Sequence, residues 1–567
     1  MFIPTTQKEM KALGWASLDI ILVTGDAYID SPFMGVALIG KVLLDQGYRV
    51  GIIGQPDLTS DKDIARLGEP SLFWGITGGC VDSMVANYTA LKKKRRSDDY
   101  TPGAVNNRRP DRAVIAYANL VRQYFKQTRP IVLGGIEASL RRIAHYDFWS
   151  NSVRRSILFD ARADYLLYGM AHGSILKFAS ALKEKKPPTG LKGLAFISKE
   201  KAGLELPSYE AVQKSKDDYI KAFHLFYENN DPFTARTLCQ KHQDRYLIVN
   251  PPEACSTTKE LDHIHGLEFE RDLHPFHQPG GRVRALDTIR FSIPTHYGCY
   301  GECRFCAIAV HQGRTVCSRS EASILEEAET LSRLPDFKGY ILDLGGPTAN
   351  MYGYECKKKL EKGACKDKGC LFPSPCKSLG PDHSKQLGLL RKIERLPGIK
   401  KVFISSGIRY DLIFSDTQTG EAYLEKIVTD HVSGQMKIAP EHTAPQVLAL
   451  MGKQPVEHLL KFKQQFDSLS KKAGKPQFLT YYLIAAHPGC CLKDMQDLKR
   501  FCIENLKTIP EQVQIFTPTP STWSTLMYYT EMDPFSGKPL FVEKDPKEKE
   551  KQKQAVTAKP LGKKYRR

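Results

Sequence analysis

Two blocks of strand-length apolar runs, each alternating with amphipathic stretches, constrain the fold of this chain more than any other feature. In the first block the runs are DIILVTG (19–25), RVGIIGQ (49–55), LFWGITGG (72–79), PIVLGG (130–135) and DYLLYGM (164–170). Helical patterns lie between them, as in SPFMGVALIGKVLLDQGY (31–48) and RAVIAYANLVRQYFK (112–126). Continuous apolar strands separated by helices require a parallel sheet covered on both faces. The pattern predicts an α/β chain with a doubly wound N-terminal domain over residues 1–200, binding ligands at the carboxyl ends of its strands. Pro32 suits the first turn of its helix, where no amide donor is needed.

The second block spans 286–535 and contains six strand-like runs. They are TIRFSIPT (288–295), GYILDLGG (339–346), KVFISSGIR (401–409), GQMKIAPEH (434–442), FLTYYLIAAHPG (478–489) and QVQIFTPTP (512–520). Six strands, each followed by a helix, predict a (β/α)6 partial barrel whose active site lies at the strand carboxyl ends. Between the blocks, residues 201–285 are more polar and read as a connecting segment.

Of the 567 residues, 82 are Lys or Arg and 63 are Asp or Glu, a net charge of +19. Much of the excess lies in residues 536–567, which are basic, poor in apolar side chains and read as a disordered tail. A second basic run is LKKKRRSDDY (91–100). RNA is admitted as a partner on charge, but charge alone does not identify one. There is no apolar run of membrane-spanning length and no signal-peptide core, so the expected location is cytoplasmic, with no membrane partner.

Fourteen cysteines in such a chain argue for thiols, metal ligands or catalytic groups rather than a disulfide framework. Cys80, Cys239, Cys255 and Cys502 are scattered and read as buried thiols. Cys299, Cys303 and Cys306 are different, falling together in THYGCYGECRFCAIAVHQGR (295–314) directly after the first barrel strand. A structural zinc ion wants four closing ligands. Three closely spaced thiolates instead suit a 4Fe–4S cluster with one iron left open to a small chelating molecule. A second group, Cys356, Cys365, Cys370 and Cys376, lies in the loop CKKKLEKGACKDKGCLFPSPC, which is too polar to hold itself together by packing. A metal supplies such a loop with folding free energy. The readings are an auxiliary iron–sulfur cluster, zinc, or no metal.

The C-x3-C-x2-C spacing behind a barrel strand resembles the radical S-adenosylmethionine (SAM) superfamily. DLGGPTANMYG (343–353), SSGIRYDL (405–412), KIAPEHT (437–443), AAHPGC (485–490) and GGIEASLRRIAHYDFW (134–149) narrow the resemblance to YgiQ-type radical SAM proteins. The resemblance implies a 4Fe–4S cluster on Cys299, Cys303 and Cys306. It also implies cleavage of SAM to a 5′-deoxyadenosyl radical and an electron donor such as a flavodoxin or ferredoxin. It names no substrate. For SAM binding it points to Gly345 and Gly346, with Pro347 where the superfamily has a Glu, and to Ser406, Arg409 and Glu441. A doubly wound domain before the barrel is cobalamin-binding-like. However, Pro32 stands where the cobalamin loop has its ligating histidine, and this argues against cobalamin. The competing reading is an iron–sulfur or zinc protein that binds RNA or a protein partner without turnover.

Overall fold

The computed structural model describes residues 1–366 and 368–558. Strands Ile20–Thr24, Val50–Gly54, Phe73–Thr77, Ile131–Gly134 and Tyr165–Leu167 run parallel, in the spatial order second, first, third, fourth, fifth. Every residue of Ile20–Thr24 and Val50–Gly54 is buried, as strands covered on both faces must be. Helices Gly35–Asp45 and Ala113–Tyr124 lie between them and His172–Lys183 follows the fifth, so Pro32 falls before its helix rather than in its first turn.

Strand order reverses between Ile20–Thr24 and Phe73–Thr77, which makes a crevice at their carboxyl ends. Buried Arg109 fixes the loops around that crevice. It donates to Asp26 Oδ1 (2.6 Å), Asp98 Oδ2 (3.1 Å) and the Gly78 carbonyl (2.6 Å). Gly79 there has φ +109°, and a Cβ would stand 2.3 Å from Asp26 Oδ1, so only glycine fits.

The sheet does not end near residue 200. Strands Leu194–Ser198, Arg245–Val249, Leu238–His242 and Leu204–Leu206 extend it to nine strands, so the segment read as a connector supplies three strands to the sheet, with helices Tyr209–Lys214 and Lys216–Glu228 between the first two. These strands lie toward one edge and expose Lys241 and Arg245, which gives the segment its polar look. Beyond them, Asp272–Leu273 pairs with Ile29–Asp30 and leads into the second domain.

The second block forms the expected partial barrel. Ser292–Pro294 lies parallel to Asp343–Gly345, and Tyr340–Ile341 to Lys401–Val402. A bridge from Ile408 to Ile438 joins this half to Gln435–Glu441, Phe478–Ala485 and Val513–Ile515. Leu344, Val402, Ile438, Leu483 and Phe462 belong to its apolar core.

Two further expectations need correction. The segment read as a tail contains a helix, Pro546–Thr557, whose Val556 is fully buried in the barrel core. Gln552 accepts from the Ala486 amide (3.0 Å) and donates to the Cys490 carbonyl (3.3 Å). Residues 559–567, the end of that segment, lie outside the described residues. Cys255, read as a buried thiol, is disulfide-bonded to Cys317, tying the stretch after the sheet to the strand that follows the cysteine loop. Among the described residues no helix is long and apolar enough to cross a membrane.

Candidate active site

The loop carrying Cys299, Cys303 and Cys306 springs from the first barrel strand. It closes through an antiparallel pair in which His296–Tyr297 meets Cys317–Ser318. Gly298 (φ +80°) makes the closure possible, because a Cβ would stand 2.1 Å from the Thr315 carbonyl oxygen. A Cβ on Gly301 would meet Arg409 Nη1 at 3.1 Å, Cys299 Sγ at 3.2 Å and Cys303 Sγ at 3.6 Å, so the loop wraps those groups closely. The Gly301 amide donates to Cys299 Sγ (3.3 Å) and Arg409 Nη1 to Cys303 Sγ (3.6 Å).

Burial pushes the Cys306 thiol up to about 12, and Cys303 and Cys299 add to the rise. Cys299 is raised for the same first reason, with Cys303 next. Left alone, these groups resist becoming thiolates; bound iron reverses that preference. Among the described residues no three His, Cys, Asp or Glu side chains converge to hold a single metal ion. A single metal ion needs such convergence once it is bound. A cluster does not, because its thiolates bind separate irons. Three thiols with an amide and a guanidinium aimed at their sulfurs are a donor set that fits an iron–sulfur cluster.

The residues expected around SAM lie together at the carboxyl ends of the second to fourth strands, but several are already engaged. The Gly345 carbonyl accepts from the Thr295 amide (2.8 Å) and hydroxyl (3.2 Å). Gly346 abuts His296, and an added Cβ would lie 2.7 Å from its ring. Close packing against the first strand thus accounts for glycine at this position. Ser406 donates to the Asp343 carboxylate, and the Ser405 and Ser406 amides donate to Asp343 Oδ1 (2.8 and 3.0 Å). Arg409 grips Asp411 with Nε (3.0 Å) and Nη2 (2.6 Å), leaving Nη1 for Cys303. Burial works against the Arg409 charge, but Asp411 outweighs it and holds the guanidinium above its ordinary range. Glu441 sits at φ +69°, buried, with its nearest cation, Lys453, 4.0 Å away. Burial lifts its carboxyl to about 7. His442 turns inward instead, accepting from the Ala444 amide (2.9 Å).

Asp343, Asn350 and Asp411 were missed by sequence reasoning. Asn350 accepts from the Arg409 amide and donates to its carbonyl, each at 2.9 Å, locking the loop after the second strand to the end of the third. Asp411 carried a signal, an acid two residues after the arginine, whereas a lone buried Asn carries none.

The second cysteine group packs on the first. Cys356, Cys370 and Cys376 share one apolar cluster with Cys299, Tyr300, Tyr354 and Leu371, and Cys365 lies outside it. Lys359 points inward, donating to the Arg314 carbonyl and to Cys370 Sγ (3.4 Å). Asp231 Oδ2 accepts from the Ala364 amide (2.9 Å) and pins the loop to the first domain.

Between the domains lies a cavity of about 490 Å³ with mostly apolar walls. Its first-domain side includes Asp26, Pro32 and Cys80 at the strand-order crevice, and its barrel side includes His296, His311 and Gly346.

A doubly wound domain, a partial barrel and three thiols at the barrel mouth define a radical SAM protein. The family described as Radical SAM N-terminal matches residues 2–292. A UPF0313 protein of Fusobacterium nucleatum is 57% identical over 561 residues, covering 98% of this chain and 99% of its own. A UPF0313 protein of Thermotoga maritima is 47% identical over 571 residues, covering 100% of both. The chain therefore belongs to the UPF0313 proteins, the YgiQ-type radical SAM family, and is an enzyme of unassigned reaction.

Among solved structures, the fold is similar to the radical SAM methyltransferase TsrM from Kitasatospora setae with cobalamin and a [4Fe-4S] cluster bound. The TM-score is 0.52 at 14% identity, covering 90% of this chain and 77% of that one. It is also similar to the cobalamin-dependent SAM radical enzyme OxsB with aqua-cobalamin bound, with a TM-score of 0.50 at 11% identity, covering 92% and 57%. These likenesses overturn the expectation against cobalamin. The same two-domain fold accompanies cobalamin in both, and Pro32, the ground for exclusion, lines the cavity between the domains. A missing histidine ligand removes one way of holding cobalt, but a corrin also has a periphery to grip.

Proposed function

We propose that Cys299, Cys303 and Cys306 hold a 4Fe–4S cluster at which SAM is reductively cleaved, with a corrin in the cavity between the domains. One observation carries the reading. The three thiols and Arg409 gather at the barrel mouth, and the return of the same loop, through His311, forms a wall of the cavity that reaches the crevice of the first domain. A cluster held by Cys299, Cys303 and Cys306 would supply the one electron that reductive cleavage of SAM requires. The chain's own residues do the positioning. Arg409, held by Asp411 and Asn350, presents one guanidinium nitrogen to the Cys303 sulfur. Glu441, the acid that burial leaves near neutrality, offers a carboxyl to a ribose hydroxyl.

The test is anaerobic reconstitution with iron and sulfide, dithionite reduction and an excess of SAM. Formation of 5′-deoxyadenosine is expected, and its absence overturns the reading. Added aquocobalamin is expected to remain with the protein through gel filtration. A chain that releases it completely has no corrin site.

A further inference from the structure

The loop between Cys356 and Cys376 carries more lysine than its packing needs. Of its lysines only Lys359 turns inward, while Lys357, Lys358, Lys362, Lys366 and Lys368 are exposed, as is Lys377 directly after it. Among the described residues, Lys357, Lys358, Lys362, Lys366 and Lys377 form no ion pair. Against its six lysines the loop has two acids, Glu361 and Asp367, with Glu355 directly before it. Like charges crowded on one short segment repel each other, so the arrangement weakens the free loop and is relieved by an acidic surface.

The position of the loop says what that surface would reach. Its base shares one packed cluster with Cys299, through Tyr300, Leu371, Cys356, Cys370 and Cys376. The loop is firmly mounted there, by the Asp231–Ala364 hydrogen bond (2.9 Å) on one side and by Gln454, which donates to the Leu371 carbonyl, on the other. Beside Gly363 stands Phe233, 56% exposed, an apolar side chain on the border of the lysine field. A rigid basic face with an apolar neighbour, one packing layer from the first thiol of the site, is suited to brief contact with a charged partner.

We propose that this lysine face is the docking surface for an acidic one-electron carrier protein, which reduces the cluster across the loop. The inference rests on the function proposed above, since only a cluster that is reduced needs such a partner. The electron count is simple: the carrier is oxidised by one electron, the cluster is reduced by one, and no bond forms or breaks in this chain.

The test compares two reductants on the reconstituted full-length enzyme and on the variant Lys357→Glu/Lys358→Glu/Lys362→Glu. Dithionite needs no docking, so both proteins are expected to form 5′-deoxyadenosine at rates within about twofold, which also shows that the variant is folded. With reduced flavodoxin the variant is expected to be slower by about tenfold or more. The wild-type rate should fall as KCl rises from about 50 to 300 mM, while the variant's stays nearly flat. Equal flavodoxin-driven rates in the two proteins overturn the proposal, as does a wild-type rate indifferent to salt. Failure of reduced flavodoxin and reduced ferredoxin alike to serve the wild type overturns it too. Absence of product with dithionite in the wild type is a distinct failure, that of the radical SAM reading itself.

Discussion

Truncating contacts of the C-terminal helix should destabilise the barrel measurably, although its sequence reads as a solvated tail. The perturbation is Gln552→Ala combined with Val556→Ala. Gln552 satisfies two backbone groups at the turn after the fifth barrel strand, the Ala486 amide and the Cys490 carbonyl, and both residues are buried. Leaving a buried donor or acceptor without a partner costs about 1–3 kcal/mol. For the two groups together we take about 2–4 kcal/mol, since some water will enter. Val556 is fully buried, and losing two methyl-sized groups removes about 1.6 kcal/mol before any cavity is counted. The sum is about 4–6 kcal/mol, and a unit of barrel size loses about 2–4 °C of melting temperature per kcal/mol, so a fall of roughly 10 °C or more is expected. Thermal melts of the apoprotein under reducing conditions read it directly. Lys551→Ala, on the exposed side of the same helix, should change stability by less than about 0.5 kcal/mol and serves as the control. A double variant melting within about 2 °C of wild type would refute the reasoning, because so small a loss means the helix is not docked.

Further outcomes are expected. Cys299→Ala, Cys303→Ala and Cys306→Ala should each abolish 5′-deoxyadenosine formation while leaving the fold intact by circular dichroism; turnover in any one removes that residue from the cluster. If the second cysteine group holds a cluster of its own, the wild type should carry about eight irons per chain, and the triple variant of Cys299, Cys303 and Cys306 to Ala about four. An iron-free triple variant limits the chain to one cluster. Asp411→Asn frees the Arg409 fork and weakens its hold near Cys303, so the KM for SAM and the visible spectrum of the cluster should both change; an unaltered enzyme would make the pair purely structural. Burial holds His265 near 3, far below the ordinary imidazole value of 6.5. The unfolded chain then takes up a proton below pH 6.5 that the folded chain refuses, and stability drains by about 1.4 kcal/mol per pH unit on the way down. His265→Gln should shrink the stability lost between pH 6.5 and 5 by about 2 kcal/mol in urea titrations, and an unchanged slope would refute the assignment.

The elements legible in the sequence were those whose burial is two-sided. Ile20–Thr24 and Val50–Gly54 are apolar at nearly every position because helices cover both faces, and so they stand out in any window. The cysteine triplet was legible because its spacing is local. The strands toward the far edge were not: Leu204–Leu206 pairs on one side only, and Leu238–His242, though mostly buried, carries Gln240, Lys241 and His242, which read as loop. The C-terminal helix was hidden for another reason. It docks through Gln552 and Lys549, whose ammonium donates to the Tyr528 hydroxyl, with Val556 as its apolar anchor, so composition carries almost no trace of it. Partnerships across the barrel mouth, such as Asp343 with Ser406 and Asn350 with Arg409, join residues about 60 positions apart and leave no pattern in a single chain.

The glycine pair shows how one residue type can answer two demands at once. Read from the sequence, Gly345 and Gly346 make room for a ligand. In the structure their missing β-carbons are also where Ser406 and His296 sit, and the Gly345 carbonyl is taken by Thr295. His296 in turn is fixed at both nitrogens, facing the Thr295 hydroxyl (2.8 Å) and the Thr348 carbonyl (3.0 Å), and it lines the cavity shared with the first domain. Burial lowers it to about 4, so it is neutral at physiological pH and orients through hydrogen bonds rather than charge. Thr348 also stands 3.6 Å from Cys299 Sγ. The turn after the second strand therefore touches the first thiol on one side and, through His296, the wall of the interdomain cavity on the other. The loop 345–351 therefore joins the return of the cysteine loop, through His311, in bordering both the thiols and the interdomain cavity.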